Sequence, residues 1–139
     1  MGVPSDPTAR RFARAALARR EEAGVLLAGG YATGAVYLGG YAAECLLKAL
    51  ILMTAPRADR PAVSSGFRGR AGHDLTRLRQ QYRRAGGPPP SAAVAADLRI
   101  VSGWDTSLRY SPRRTEPREA GLFLAAVDRL LHWADGRYS

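Results

Sequence analysis

Residues 31–53 read YATGAVYLGGYAAECLLKALILM and form the most apolar segment of the chain. Its apolar residues recur at alternating steps of four and three, the spacing of one packed helix face: Tyr31, Ala35, Leu38, Ala42, Cys45, Ala49 and Leu52. A second stripe carries Glu44 and Lys48, in the order that favours an ion pair four residues apart. A helix that is apolar on most faces is typical of the centre of a bundle. The stretch could span a bilayer by length, but charges at its middle argue against a membrane helix.

Amphipathic segments on both sides of this stretch predict further helices. Apolar periodicity and end signals place them over residues 7–27, 74–85, 91–110 and 115–134. Long runs of alternating β-branched residues are missing from the sequence, which argues against a β-sandwich or barrel. The sequence therefore predicts an all-α bundle of about five helices.

The chain is short enough for one domain, with 139 residues. We expect residues 1–7 to form a flexible N-terminal tail and residues 8–135 a single helical domain. Residues 54–72 are rich in glycine, proline and arginine, and they predict a long loop within that domain.

Charge is strongly skewed, with 20 arginines, one lysine and 12 acidic residues giving a net charge of +9. A GC-rich genome would explain arginine in place of lysine, but it would not explain the net charge. A field of this sign favours RNA, nucleotides or an acidic protein as partners. Arginines are concentrated in two clusters, at residues 77–84 and 109–118.

Cysteine, histidine and the first residues of the chain exclude several classes of protein. Cys45 is the one cysteine, so an internal disulfide is impossible, and no cysteine or histidine cluster has the spacing of a zinc site. Residues 1–11 lack the apolar core of a secretory signal. We therefore expect a cytoplasmic protein that has no bound metal or other cofactor and no membrane partner.

Three short signatures occur in order along the chain. Residues 41–51 read YAAECLLKALI, residues 72–75 read GHDL, and Trp104 is followed by RYSP at residues 109–112. Together with the last helix, this order and spacing resembles the HEPN family of small prokaryotic helical proteins. The resemblance covers residues 8–135. It implies an up-and-down bundle of four to five helices that forms a homodimer and binds or cleaves RNA or nucleotides. Many members are toxins paired with a nucleotidyltransferase-type antitoxin, and others are inactive partner modules.

Active members of the family carry an Arg-x4–6-His motif near the start of the last helix. Arg109 has the position of that arginine, but residues 110–116 contain no histidine. We therefore expect a bacterial RNA- or nucleotide-engaging protein of toxin–antitoxin or defence type that acts as a binding or partner module. The alternative is an atypical metal-independent ribonuclease, which would use Arg109 with His73 or Glu116 in place of the missing histidine.

Metal-free RNA cleavage needs a base, an acid and a cation beside the phosphate. His73 suits proton transfer, because histidine titrates near neutral pH, and Arg109 suits the cationic role. The alternative for His73 is capping or packing at a helix start. Candidate ligand-binding residues are Tyr110, Arg113, Arg114, Glu44, Lys48 and Trp104. Trp104 could instead belong to the core, and Glu44 and Lys48 could form a buried ion pair.

Overall fold

The computed structural model describes residues 3–112 and 114–138, and every regular element in them is helical. The described α-helices are α1 Pro7–Ala28, α2 Ala32–Thr54, α3 Arg60–Ser65, α4 Leu75–Arg84, α5 Ala92–Ser102 and α6 Pro117–Asp135. Short 3-10 helices cover Arg57–Asp59, Arg70–His73 and Thr106–Tyr110. The predicted all-helical bundle is confirmed, with one more short helix than expected.

Helix α2 is the centre of this bundle. Helices α1, α4 and α6 all pack against it. Its buried residues lie all around its axis, as its apolar stripes predicted; the largest are Leu46, Leu47, Leu50, Ile51 and Leu52. By length and composition α2 could cross a membrane, but 67% of its apolar window is buried inside the bundle. Burial of this kind is what the core helix of a bundle requires.

The ends of α1 follow from local sequence signals. The carboxylate of Asp6 accepts a hydrogen bond from the Ala9 amide at 2.8 Å and caps the first turn. Gly30 has a φ of +90°, a left-handed conformation that lets the chain reverse into α2. Pro4 is buried, and its carbonyl accepts a hydrogen bond from Arg10. The described part of the predicted tail therefore packs on α1, while residues 1 and 2 lie outside the described residues.

Two expectations about the connections were wrong. Residues 54–72 are not a plain loop, because they include α3 and two 3-10 helices. The helix predicted over residues 91–110 ends at Ser102, where Gly103 forms the C-cap. The carboxylate of Asp105 then accepts a hydrogen bond from the Ser107 amide and starts a separate 3-10 helix, Thr106–Tyr110. After this break Trp104 packs against Gly40 and Tyr41 of α2, which positions the candidate site.

Candidate functional site

A buried carboxylate lies at the centre of the candidate site. Glu44 is on α2 and is only 4% exposed. Its Oε2 accepts a hydrogen bond from Lys48 Nζ at 2.8 Å, which confirms the ion pair predicted from their spacing. Its Oε1 lies 2.8 Å from His73 Nδ1, although the two residues are 29 positions apart in the chain. Glu44 thus joins a buried cation on one side to a histidine on the other.

Lys48 belongs to the interior and does not line the neighbouring cleft. It is 5% exposed, and its ammonium lies 5.6 Å from the ring centre of Phe12 and 5.5 Å from that of Phe67. Two aromatic rings and one carboxylate therefore surround the Lys48 ammonium. The cation–π contacts and the ion pair together offset the cost of burying this charge. Its place in the structure therefore gives Lys48 a supporting position behind His73.

The turn before α4 places His73 against Glu44. A side chain at Gly72 would put its Cβ 1.7 Å from the carbonyl oxygen of Phe67, so this tight turn requires glycine. Asp74, and not His73, caps α4, because its carboxylate accepts a hydrogen bond from the Arg77 amide at 3.2 Å. His73 is therefore released from the capping role that its position suggested.

The orientation of His73 leaves one ring nitrogen for chemistry. The ring donates from Nδ1 to the Glu44 carboxylate, and in the neutral imidazole Nε2 is then an acceptor. The side chain is 43% exposed and lines a cleft of about 600 Å³. Carboxylate–histidine pairs of this kind fix the tautomer and the orientation of a general base.

The cleft lies between the 3-10 helix Arg70–His73 and the 3-10 helix Thr106–Tyr110. Arg70 and His73 line one side, and Asp105 and Tyr110 line the other. Tyr110 is 76% exposed, so its ring is accessible to a ligand. The backbone of Arg109 is in the second of these 3-10 helices, directly before Tyr110, and its side chain lies outside the described part of the chain.

Asp105 contributes a fixed negative charge to the cleft. Hydrogen bonds from the Ser107 hydroxyl and amide hold the pKa of Asp105 below its usual value, and the nearby charge of Arg70 lowers it further. The carboxylate therefore stays ionised at neutral pH. One cation, Arg70, and two carboxylates, Asp74 and Asp105, therefore line the same cleft as His73.

Trp104 forms a rigid wall of the cleft. Its Nε1 donates a hydrogen bond to the carbonyl of Tyr37 at 3.1 Å, and its ring centre lies 5.0 Å from that of Tyr41. A Cβ on Gly40 would lie 2.0 Å from Trp104 Cε2, so glycine is needed for this close approach. With only 5% of its surface exposed, Trp104 has little area on which a base could stack.

The remaining candidate residues lie elsewhere. Arg114 and Glu116 line a cavity of about 550 Å³ at the first turns of α2 and α6. Thr33 anchors this corner, because its hydroxyl accepts a hydrogen bond from the Thr115 amide at 2.8 Å. Glu116 therefore does not line the His73 cleft, and Arg113 lies outside the described residues.

Sequence reasoning missed Arg70 and Asp105 as residues of the cleft. Arg70 precedes His73 by three positions, a spacing that one turn of helix brings together, and this signal was available. Asp105 had no such signal, because its position depends on the break of the chain at Gly103. Within the described ranges, no group of three histidine, cysteine or acidic side chains could hold a metal ion.

Comparison of the chain with protein-family models, with curated proteins and with solved structures found no match. Its function therefore has to be inferred from the chemistry of the cleft.

Proposed function

We propose that this chain is a HEPN-like protein that engages RNA or a ribonucleotide in the cleft between His73 and Tyr110. The observation that carries the proposal is the His73 ring, held by the buried Glu44 carboxylate beside the cationic Arg70. The guanidinium of Arg70 suits a phosphate group, and an exposed tyrosine suits a base or a sugar. The net charge of +9 would attract such an anion.

The arrangement of the three sequence signatures supports the HEPN-like assignment. Glu44 from the first signature contacts His73 from the second, and Tyr110 from the third lines the same cleft. Residues that act in one functional site come together in space from separate segments of the chain, as these three signatures do. As parts of the same proposal, the protein is a cytoplasmic homodimer that acts with a nucleotidyltransferase-type antitoxin.

A chain of cavities favours an RNA strand over a single nucleotide. A cavity of about 410 Å³ shares Trp104 and Asp105 with the His73 cleft. The same cavity shares Ser111 and Thr115 with the one that Arg114 lines. The three spaces therefore adjoin in series, from His73 past Trp104 to Arg114, and a strand could follow them with phosphates near both arginine-bearing ends.

A second candidate function, metal-independent RNA cleavage, is favoured by the Glu44–His73 pair. With Nδ1 held by Glu44, His73 Nε2 could take the proton of a ribose 2′-hydroxyl. The 2′-oxygen would attack the adjacent phosphorus and form a 2′,3′-cyclic phosphate, while the 5′-oxygen leaves and takes a proton from solvent water. The His73 imidazolium would then return its proton to solvent. Arg70 would balance the charge that develops on the phosphate oxygens. Arg109 precedes Tyr110 on the opposite wall and keeps its predicted cationic role in this proposal.

The test of binding compares two arginines with equal charge and different positions. A fluorescent mixed-sequence RNA is titrated with wild type, Arg70→Ala and Arg11→Ala at several salt concentrations. Arg11 is exposed on α1 and lines none of the three cavities, so it is a matched control. We expect salt-sensitive binding that Arg70→Ala weakens about tenfold and Arg11→Ala leaves nearly unchanged. Equal losses in both variants would mean diffuse attraction and would overturn the cleft assignment.

The test of cleavage separates the two candidate functions. The same RNA is incubated in EDTA with wild type, His73→Ala and Glu44→Gln. Loss of cleavage in His73→Ala, with a large reduction in Glu44→Gln, would establish the ribonuclease. RNA that stays intact but bound would identify a binding module, and the Arg109→Ala variant would then test the cationic role predicted for Arg109.

A further inference from the structure

The cavity beyond Trp104 has the character of a small-molecule site. Its volume is about 410 Å³, and its apolar walls come from Val36, Leu108 and Phe123 on three different helices. Asp105 and Glu119 add two carboxylates to this apolar lining. Apolar walls with a few convergent polar groups are the usual composition of a pocket that takes a flat organic ligand.

This cavity adjoins the His73 cleft directly. Both spaces are lined by Gly103, Trp104 and Asp105, which link α5 to the following 3-10 helix, and by Ser107 of that helix. A ligand whose phosphate lies beside Arg70 and His73 could therefore extend a second group past Trp104 into the cavity. Because both spaces share the wall of Trp104, occupation of one constrains what can occupy the other.

We propose that this cavity is a nucleobase subsite, selective for bases that carry an exocyclic amino group. The proposal rests on the proposed function, since it takes an RNA phosphate in the His73 cleft as given. Its carrying observation is the pairing of an apolar cavity with two carboxylates, Asp105 and Glu119, on its lining.

The selectivity follows from hydrogen-bond chemistry. An ionised carboxylate only accepts hydrogen bonds. Cytosine, adenine and guanine each donate from an amino group, and carboxylates are known partners of the cytosine amino group. Uracil offers one ring N–H between two carbonyl oxygens, and those oxygens would face the carboxylates unfavourably. Asp105 is ionised at neutral pH because hydrogen bonds from Ser107 lower its pKa.

Cytosine and uracil give the cleanest comparison, because their rings have the same size and differ at the amino position. Binding of C6 and U6 ribo-oligonucleotides is measured by fluorescence anisotropy with wild type, Glu119→Gln and Gly103→Leu. We expect wild type to bind C6 at least about fivefold more tightly than U6. This ratio is the lower end of the discrimination that one good contact to a base edge provides. The Glu119→Gln variant should reduce this ratio, because an amide also donates hydrogen bonds.

Gly103→Leu tests the position of the base. A Cβ at Gly103 would meet only the Ile100 carbonyl, at 4.0 Å, so a larger side chain has room and would extend between the two spaces. We expect this variant to lose the preference for C6. A preference that survives in Gly103→Leu, or is unchanged in Glu119→Gln, would place the base elsewhere and overturn the subsite.

The failures of the two proposals look different. Equal affinity of wild type for C6 and U6, with both weakened by Arg70→Ala, would overturn the base subsite and leave the phosphate cleft intact. If neither oligonucleotide binds, and ribose 5-phosphate binds no better, the proposed function falls and the subsite falls with it.

Discussion

Replacing Glu44 by leucine would leave the ammonium of Lys48 buried with no carboxylate beside it. Lys48 is 5% exposed and Glu44 4%, so water cannot replace the lost partner without opening the bundle. The rings of Phe12 and Phe67 contact the charge in both states and therefore do not compensate. His73 loses its acceptor too, but its side chain is 43% exposed and can turn to solvent.

The expected cost is the cost of an uncompensated buried charge. Removal of one partner of a buried pair lowers the free energy of unfolding by about 3–5 kcal/mol. That is a large part of the roughly 5–15 kcal/mol by which ordinary domains are stable. For a chain of this length it corresponds to a fall in Tm of roughly 10–20 °C.

The measurement is a double-mutant cycle by urea denaturation, using Glu44→Leu, Lys48→Met and the two combined. We expect each single variant to be strongly destabilised and the double variant to recover most of the loss, because it removes both charges and keeps apolar volume. If Glu44→Leu costs less than about 1 kcal/mol, or if the two losses simply add, the pair is not buried as described.

Three further substitutions or modifications test the packing. Gly40→Ala should cost about 1–3 kcal/mol by forcing Trp104 aside, whereas the control Gly121→Ala, whose Cβ meets nothing within 4 Å, should be neutral or stabilising. Burial raises the pKa of Cys45 to about 11, so iodoacetamide at pH 8 should alkylate it about a hundredfold more slowly than in the urea-unfolded chain, and faster as pH rises. Equal rates in the two states would refute that burial. Ser91→Ala should cost about 1 kcal/mol by removing the cap on the Val94 amide, and Ser91→Gly only a few tenths.

Local rules account for most of the fold. The stretch over residues 31–53 is apolar on nearly every face, so it had to be central, and it is. Asp6 and Ser91 cap their helices through the side-chain oxygens that such positions require. What failed was the helix expected over residues 91–110, because its apolar periodicity continues past Gly103. Glycine at that point ends α5, and the Asp105 carboxylate offers the following turn a competing hydrogen bond.

Part of the candidate site depends on long-range contacts, which the periodicity of a sequence cannot predict. The Glu44–Lys48 pair was predictable because both residues lie on one helix, four positions apart. The Glu44–His73 contact was not, because it spans 29 residues and depends on the turn at Gly72. Asp105 was hidden for the same kind of reason, since it enters the cleft only where the helix breaks.

The contact between Glu44 and His73 changes what the absence of a histidine after Arg109 implies for catalysis. A general base needs a place within reach of the phosphate and a partner that orients its ring, and neither requirement fixes its position in the sequence. His73 lines the cleft that the turn bearing Tyr110 also lines, and Glu44 orients it from behind. A histidine in the turn before α4 thus meets both requirements without any histidine after Arg109. Whether the chain cleaves RNA therefore depends on Glu44 and His73 more than on the residues that follow Arg109.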